Sequence, residues 1–276
     1  MGVSARDEIL DWRATYHNQD HGRSAGEIMK ATQFEFRHRF WVIGFVFWVG
    51  FGLYAVDPLN VVQWVAERAA PGNNAKQMLI VHGLFCVGAL LIFMAASLRT
   101  WAAAYLRSNV VQDPSLHAEK IVADGPYRHL RNPLYLGSIL LALGMGLLAS
   151  RVGFLVIVVG SAIVFLRLAG LEESTLDREH GEPYREFCKK VPRLWPALAP
   201  RLPAGGTEPR WRQAFLGEMF MWGFFLAVAA FAVTLNTKVT WTIVALALLV
   251  YIVRSYVLFY SRKKRTAIET PANPTP

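Results

Sequence analysis

The stretch Leu134–Gly170, LYLGSILLALGMGLLA-SR-VGFLVIVVGSAIVFLRLAG, holds two apolar runs separated only by Ser150 and Arg151. Runs of roughly 17–25 apolar residues are long enough to cross the hydrocarbon core of a bilayer as helix. Lipid offers no water to the backbone, so each run must pair its own N–H and C=O groups, and helix is the expected form. Two runs with so short a break read as a helical hairpin. Its first arm, Leu134–Ala149, is short for a full span and is expected to be tilted or partly inserted against the second arm, Val152–Gly170.

Outward from this hairpin lie four more apolar runs: Phe40–Val56 (FWVIGFVFWVGFGLYAV), Met78–Ser97, Ala214–Val233 and Thr240–Tyr260. Hydrophobic residues make up 54% of the 276. The expected fold class is all-α, a polytopic membrane bundle of about six transmembrane helices. The first 33 residues are polar and mixed in charge. They lack the apolar stretch behind a basic start that marks a cleavable signal, so the first span is expected to direct insertion. Twenty-three of the 29 Lys and Arg fall on the side of both termini and the two long loops, and four on the other. That excess predicts a multi-pass protein with both termini in the cytoplasm. The net charge of +9 then reads as a topology determinant with attraction to anionic lipid, not as a nucleic-acid footprint. Cys86 and Cys188 are lone residues and indicate neither a disulfide framework nor a metal site. His82, in the second run, reads as a satisfied interior residue.

Composition divides the chain into a cytosolic lead-in (1–39), a membrane core of four helices with motif loops (40–199), a linker (200–213), a C-terminal helix pair (214–260) and a basic, then disordered, tail (261–276). The linker is marked by the Pro and Gly of PRLPAGGTEP, Pro200–Pro209.

Two polar segments flank the hairpin and so can meet at one membrane surface. The first, Ile121–Gly137, contains GPYRHLRNPLYLG. Gly125-Pro126 signals a turn. Asn132-Pro133 fits a helix start, with Asn as N-cap and Pro at the first helical position. The N–H groups of that first turn suit an anion, and Gly137, one turn on, permits close approach of a ligand. The second segment runs from Arg167 through Glu172-Glu173, Gly181 and Tyr184 to Pro192-Arg193. Gly181 is expected to end one helix and Pro183 to begin the next. Adjacent carboxylates at a membrane helix end need water or a cation, and an Arg within a span is a functional candidate.

In these residues the chain resembles the isoprenylcysteine carboxyl methyltransferase family, and it is similar to phosphatidylethanolamine N-methyltransferases. The shared pattern is GPYxxxRNPxYxG, then EE after a helical hairpin, then GxxYxxF and VPRxxP, with Arg99-x-Trp101 upstream. Asn132 stands where the isoprenylcysteine enzymes usually carry His, which aligns the chain with the phospholipid enzymes. The resemblance implies an S-adenosylmethionine-dependent methyltransferase acting on a lipid or other hydrophobic acceptor, with a cofactor pocket at the cytosolic mouth of the helices. It implies that Val122, Tyr127, Asn132, Pro133, Tyr135 and Gly137 line the cofactor. Glu172 or Glu173 would hold the cofactor's amino group, and Tyr184 and Arg193 would shape a lid. Arg167 and Glu173 are the candidate catalytic residues, Arg167 because its guanidinium can bind a substrate carboxylate or phosphate bidentately.

Two other readings compete. One is an NADPH-dependent sterol-type reductase, whose C-terminal helices and turn motifs resemble this family. The other is a scaffold or transporter, in which Glu218 and Arg254 of the last two spans form a buried pair or line a polar path.

Overall fold

Every apolar run becomes helix in the computed structural model, which describes residues 30–106 and 123–269. In chain order the helices are α1 (Gln33–Arg37), α2 (Arg39–Gly52, continued by a 3-10 turn, Leu53–Ala55), α3 (Val61–Ala69) and α4 (Asn74–Tyr105). A second 3-10 turn (Gly125–Arg128) leads to α5 (Pro133–Gly146), α6 (Arg151–His180) and α7 (Glu182–Lys190). The C-terminal part holds α8 (Trp211–Gly217), α9 (Met219–Thr234) and α10 (Thr237–Glu269). No strand occurs among the described residues.

Three helices are long and apolar enough to cross a bilayer: α4, α6 and the Thr237–Arg254 part of α10. The pair α8 and α9, bent by 61° at Glu218, makes a fourth if it acts as one span. The segments Arg39–Ala55 and Pro133–Gly146 are apolar but shorter. At about 1.5 Å per residue, α5 extends roughly 21 Å, against a hydrocarbon core of about 30 Å. Three to four full spans therefore stand where the sequence suggested about six, and these two shorter helices account for the difference.

Helix α4 is the centre of the bundle, packing on α3, α5, α8 and α9, while α6 packs on α2 and α5. Apolar side chains gain little from leaving lipid for protein, so helix association in a membrane relies on close backbone approach at small residues. Both main contacts use this device. A Cβ on Gly144 of α5 would lie 2.7 Å from the Gly88 carbonyl oxygen of α4, and one on Gly153 of α6 would lie 2.2 Å from that of Gly50 in α2. His82 Nδ1 lies 2.6 Å from the Ala232 carbonyl oxygen, so it is an interior residue with a partner on α9.

The tight α5–α6 turn begins α6 at Ser150, whose hydroxyl accepts from the Gly153 N–H. The loop before α3 clamps that turn. Arg151 binds Asp57 at 2.7 Å, and Asn60 donates to the carbonyls of Leu147 and Ala149. At the opposite end of the hairpin, Gly181 ends α6 with φ +58°, and Pro183 stands in the first turn of α7.

The segment expected to be a linker is bound along its length to the first motif segment. The amides of Ala197 and Arg201 donate to the carbonyls of His129 and Arg128, and that of Arg210 to Ala104. Gly205 and Thr207 donate their N–H groups to the buried Asp124 carboxylate at 2.6 and 3.0 Å. Pro and Gly here remove competing helix and leave a strap that follows the surface of the turn. The Thr207 hydroxyl, and then these two amides, outweigh burial and hold the Asp124 carboxyl below its usual range.

Two outcomes are expected. Gly144→Val forces α4 and α5 apart and destabilises by about 1–3 kcal/mol, the usual cost of overpacking, read as a lower melting temperature in detergent. Gly44→Val, at a position with open space around it, leaves the melting temperature unchanged. The Asp124 contribution is present at neutral pH and is lost only as pH falls through its lowered folded-state pKa, below the ordinary value near 3.9. Asp124→Asn therefore speeds hydrogen exchange of the Gly205 and Thr207 amides at least tenfold at pH 7.

Candidate functional site

The two polar segments meet where α6 leaves the apolar layer. Residues Arg131-Asn132 run beside Pro192-Arg193, joined through backbone bonds from Arg131 N to Pro192 O (2.9 Å) and from Asn132 N to Arg193 O (3.3 Å). The Glu173 carboxylate lies between them. Asn132 Nδ2 donates to its Oε1 at 2.7 Å and to the Arg193 carbonyl at 3.2 Å. Arg193 Nε stands 3.1 Å from Oε2 and Arg131 Nε 3.7 Å from Oε1. Neither of these buried N–H groups is aligned to a hydrogen-bond acceptor, so the charges are paired while two donors remain available.

This geometry revises the expected role of Asn132. It precedes α5, and Pro133 is buried in the first helical turn, but the Asn132 side chain makes no capping bond. Its amide is spent on Glu173 instead.

Glu172 faces different neighbours. The Tyr135 hydroxyl donates to it, and Arg39 adds a positive charge nearby. Tyr127, in the 3-10 turn, lies within electrostatic reach of Glu172, Arg99 and Glu218. Its hydroxyl is buried without a hydrogen-bond partner. Burial, reinforced by the Glu172 charge, pushes the Tyr127 phenol well above its usual range, so it stays a neutral donor. Tyr184, on the buried face of α7, sits beside Glu173, and burial with that charge raises its phenol likewise. Val122 lies outside the described residues.

Gly137 serves a purpose other than ligand approach. A Cβ there would fall 2.5 Å from Arg99 Cγ, so the missing side chain makes room for Arg99 to cross α5. Arg99 then donates from Nη1 to Ser138 Oγ at 2.8 Å and to the Leu134 carbonyl at 3.3 Å. Its Nε and Nη2 bind both oxygens of Glu218 at 2.8 and 3.0 Å. Glu218, only 2% exposed, therefore pairs with Arg99 and not with Arg254, which donates to the Leu216 carbonyl. The acid in the apolar run was a visible signal; its partner, over a hundred residues away, was not.

Arg167 lies more than a turn before Glu172 on α6. Its Nη2 binds both oxygens of Glu35, at 3.1 and 2.9 Å. Glu35 closes a capping box with Thr32 at the start of α1, and the Ala31 amide donates to the Arg167 carbonyl at 2.9 Å. Phe36 packs with Phe165, Leu168 and Leu171 of α6, a cluster that also touches Tyr135. Arg39 stacks its guanidinium on Phe36. The lead-in thus covers the α6 side of the site, a contact invisible in a segment that reads only as polar and mixed in charge.

Two carboxylates, three tyrosines and several guanidinium groups are thus gathered at one end of a membrane hairpin. The arrangement can bind a zwitterion: an ammonium on the carboxylates and a carboxylate on unsatisfied N–H donors. No curated protein and no solved structure matches the chain. A family model described as phospholipid methyltransferase matches residues 84–183. That range takes in most of α4, the turn with Tyr127, the whole of α5 and α6, and both glutamates. Through residues 84–183, the chain belongs to the phospholipid methyltransferase family of membrane methyltransferases.

Proposed function

We propose that this protein transfers a methyl group from S-adenosylmethionine to a lipid or other hydrophobic acceptor at the cytosolic face of the membrane. The observation that carries the reading is the pairing, in one buried site, of Glu172 and Glu173 with donors that have no acceptor: the Tyr127 hydroxyl and the Nε–H groups of Arg131 and Arg193. This donor set fits the amino-acid end of the cofactor. The carboxylate of Glu172 would take its ammonium, and the guanidinium groups or the α5 N-terminus would take its carboxylate. Bound there, the sulfonium supplies an electrophilic methyl group.

The remaining work of the chain is orientation and exclusion of water. An in-line displacement needs its two partners held in register more than it needs covalent help. Asn132, Pro133 and Tyr135 set the wall of the site. Tyr184 and Arg193 close its outer side, and Glu173 ties that lid to α5. The gap between helices would let a lipid present its head group without leaving the bilayer. Arg167 would receive a substrate carboxylate or phosphate in exchange for the Glu35 carboxylate that it now holds. The Lys and Arg bias supports a cytosolic site and cytosolic termini, with α2 and α5 as tilted or partial spans.

Calorimetry with S-adenosylhomocysteine on the detergent-purified, lipid-supplemented protein tests this. Saturable binding is expected, with Glu172→Ala weakening it at least tenfold, as loss of a charge-assisted bond worth about 1.5–3 kcal/mol implies. Absence of binding to folded wild-type protein, with binding of NADPH instead, would turn the reading to a reductase. Arg167→Ala is expected to lower turnover at least tenfold while S-adenosylhomocysteine affinity stays within twofold. Loss of that affinity would remove Arg167 from the substrate side.

A further inference from the structure

The last three helices lie outside the family match, yet they supply one buried charge to the site. Glu218 occupies the break between α8 and α9, and both its oxygens are taken by Arg99. Arg99 also binds Ser138 and the Leu134 carbonyl, on either side of Tyr135, the residue that donates to Glu172. Trp222 of α9 adds a bond to Thr100 at 3.1 Å, so the junction is fixed at two adjacent positions of α4. A buried guanidinium therefore stands close to Glu172: Tyr127 and Tyr135 each lie within electrostatic reach of both charges.

A cation buried this way cannot be left without a counterion, because desolvation of an unpaired charge costs several kcal/mol. Two carboxylates are near it, Glu218 and Glu172. Glu218 wins by geometry, presenting both oxygens to two N–H groups of the fork. If it were absent, the Arg99 side chain would turn to Glu172 and neutralise the group on which a ligand ammonium depends.

We propose that Glu218 is a positioning residue: it holds Arg99 on the far side of α5 and so keeps the Glu172 carboxylate open to the ammonium of a bound ligand. The C-terminal helix pair is then part of the binding machinery of this protein. The inference rests on the reading of Glu172 as the group that receives the cofactor's ammonium.

The test compares two ligands that differ only at that end. S-Adenosylhomocysteine carries the ammonium and carboxylate; 5′-methylthioadenosine carries neither. Their affinities are measured by calorimetry on the full chain, with melting temperature and size-exclusion profile as folding controls. Glu218→Gln, which removes the charge and keeps the shape, should weaken S-adenosylhomocysteine at least tenfold and methylthioadenosine less than threefold. Adding Arg99→Met should restore S-adenosylhomocysteine affinity to within about threefold of wild type, because the competing guanidinium is gone. A merely structural role cannot give selective loss followed by rescue. Equal loss of both ligands, unchanged affinity in Glu218→Gln, or no recovery in the folded double variant overturns the proposal while leaving the methyltransferase reading intact. If Glu218→Gln does not fold, Glu218→Asp keeps the charge on a shorter arm; selective loss of S-adenosylhomocysteine supports the proposal, and equal loss of both overturns it. Wild-type protein that binds neither ligand overturns the methyltransferase reading and this inference with it.

Discussion

The Glu173 carboxylate holds this end of the molecule together. It closes three segments that are distant in sequence: the Arg131-Asn132 turn before α5, the end of α6, and the Pro192-Arg193 loop after α7. None of the three is fixed by apolar packing alone, since all lie where the helices leave the apolar layer. A charge shared among an amide and two guanidinium groups can fix them because the partners are mostly shielded from water, where an ion pair at the surface would be worth little. Backbone bonds between the two loops then need no strand of their own, and the strap from Ala197 to Arg210 extends the same seam along the turn.

A second buried charge pair joins this end to the C-terminal helices. Arg99 and Glu218 illustrate why buried ion pairs report on specificity more than on stability. Replacing both with well-packed apolar residues can be neutral, whereas removing one leaves the other stranded. Within a bundle of apolar helices, many rotations of α9 about its axis would bury similar surface. Only one lets Glu218 meet Arg99, and only a glycine at position 137 lets Arg99 reach across α5. The pair therefore fixes which face of α9 meets the core.

The elements legible in the sequence are those governed by short-range rules. Apolar length placed the helices, Ser150 and Gly181 marked the hairpin's turn and end, and the Gly-Pro and Asn-Pro pairs located the turn before α5. Segment length was less legible, because helix ends in polar residues continue or stop according to what they pack against: α4 runs from Asn74 to Tyr105, well past the apolar run Met78–Ser97. Pairings across the chain were not legible. Nothing local links Glu218 to Arg99, Glu35 to Arg167 or Asp124 to Thr207, since each depends on which helices become neighbours. Two residues changed meaning for this reason. Asn132 has the sequence of a cap and spends its amide on Glu173; Gly137 has the sequence of a ligand contact and is filled by Arg99.

The adjacent glutamates show how one helix end can serve two purposes. Neighbouring residues on an α-helix point about 100° apart, so Glu172 and Glu173 cannot share partners. Glu173 turns toward the loops, where an amide and two guanidinium groups surround it. Glu172 turns toward the helices, where Tyr135 donates to it and the nearby charge of Arg39 is engaged with the aromatic face of Phe36. In the proposed reading this asymmetry divides the work, with Glu173 as the structural closure and Glu172 as the group whose charge is left for a ligand. A single acid could not do both, because a carboxylate saturated by the chain's own cations has no charge to offer an incoming ammonium. Arg99, held by Glu218, is the cation best placed to erase that distinction, and its restraint is what keeps the two acids different.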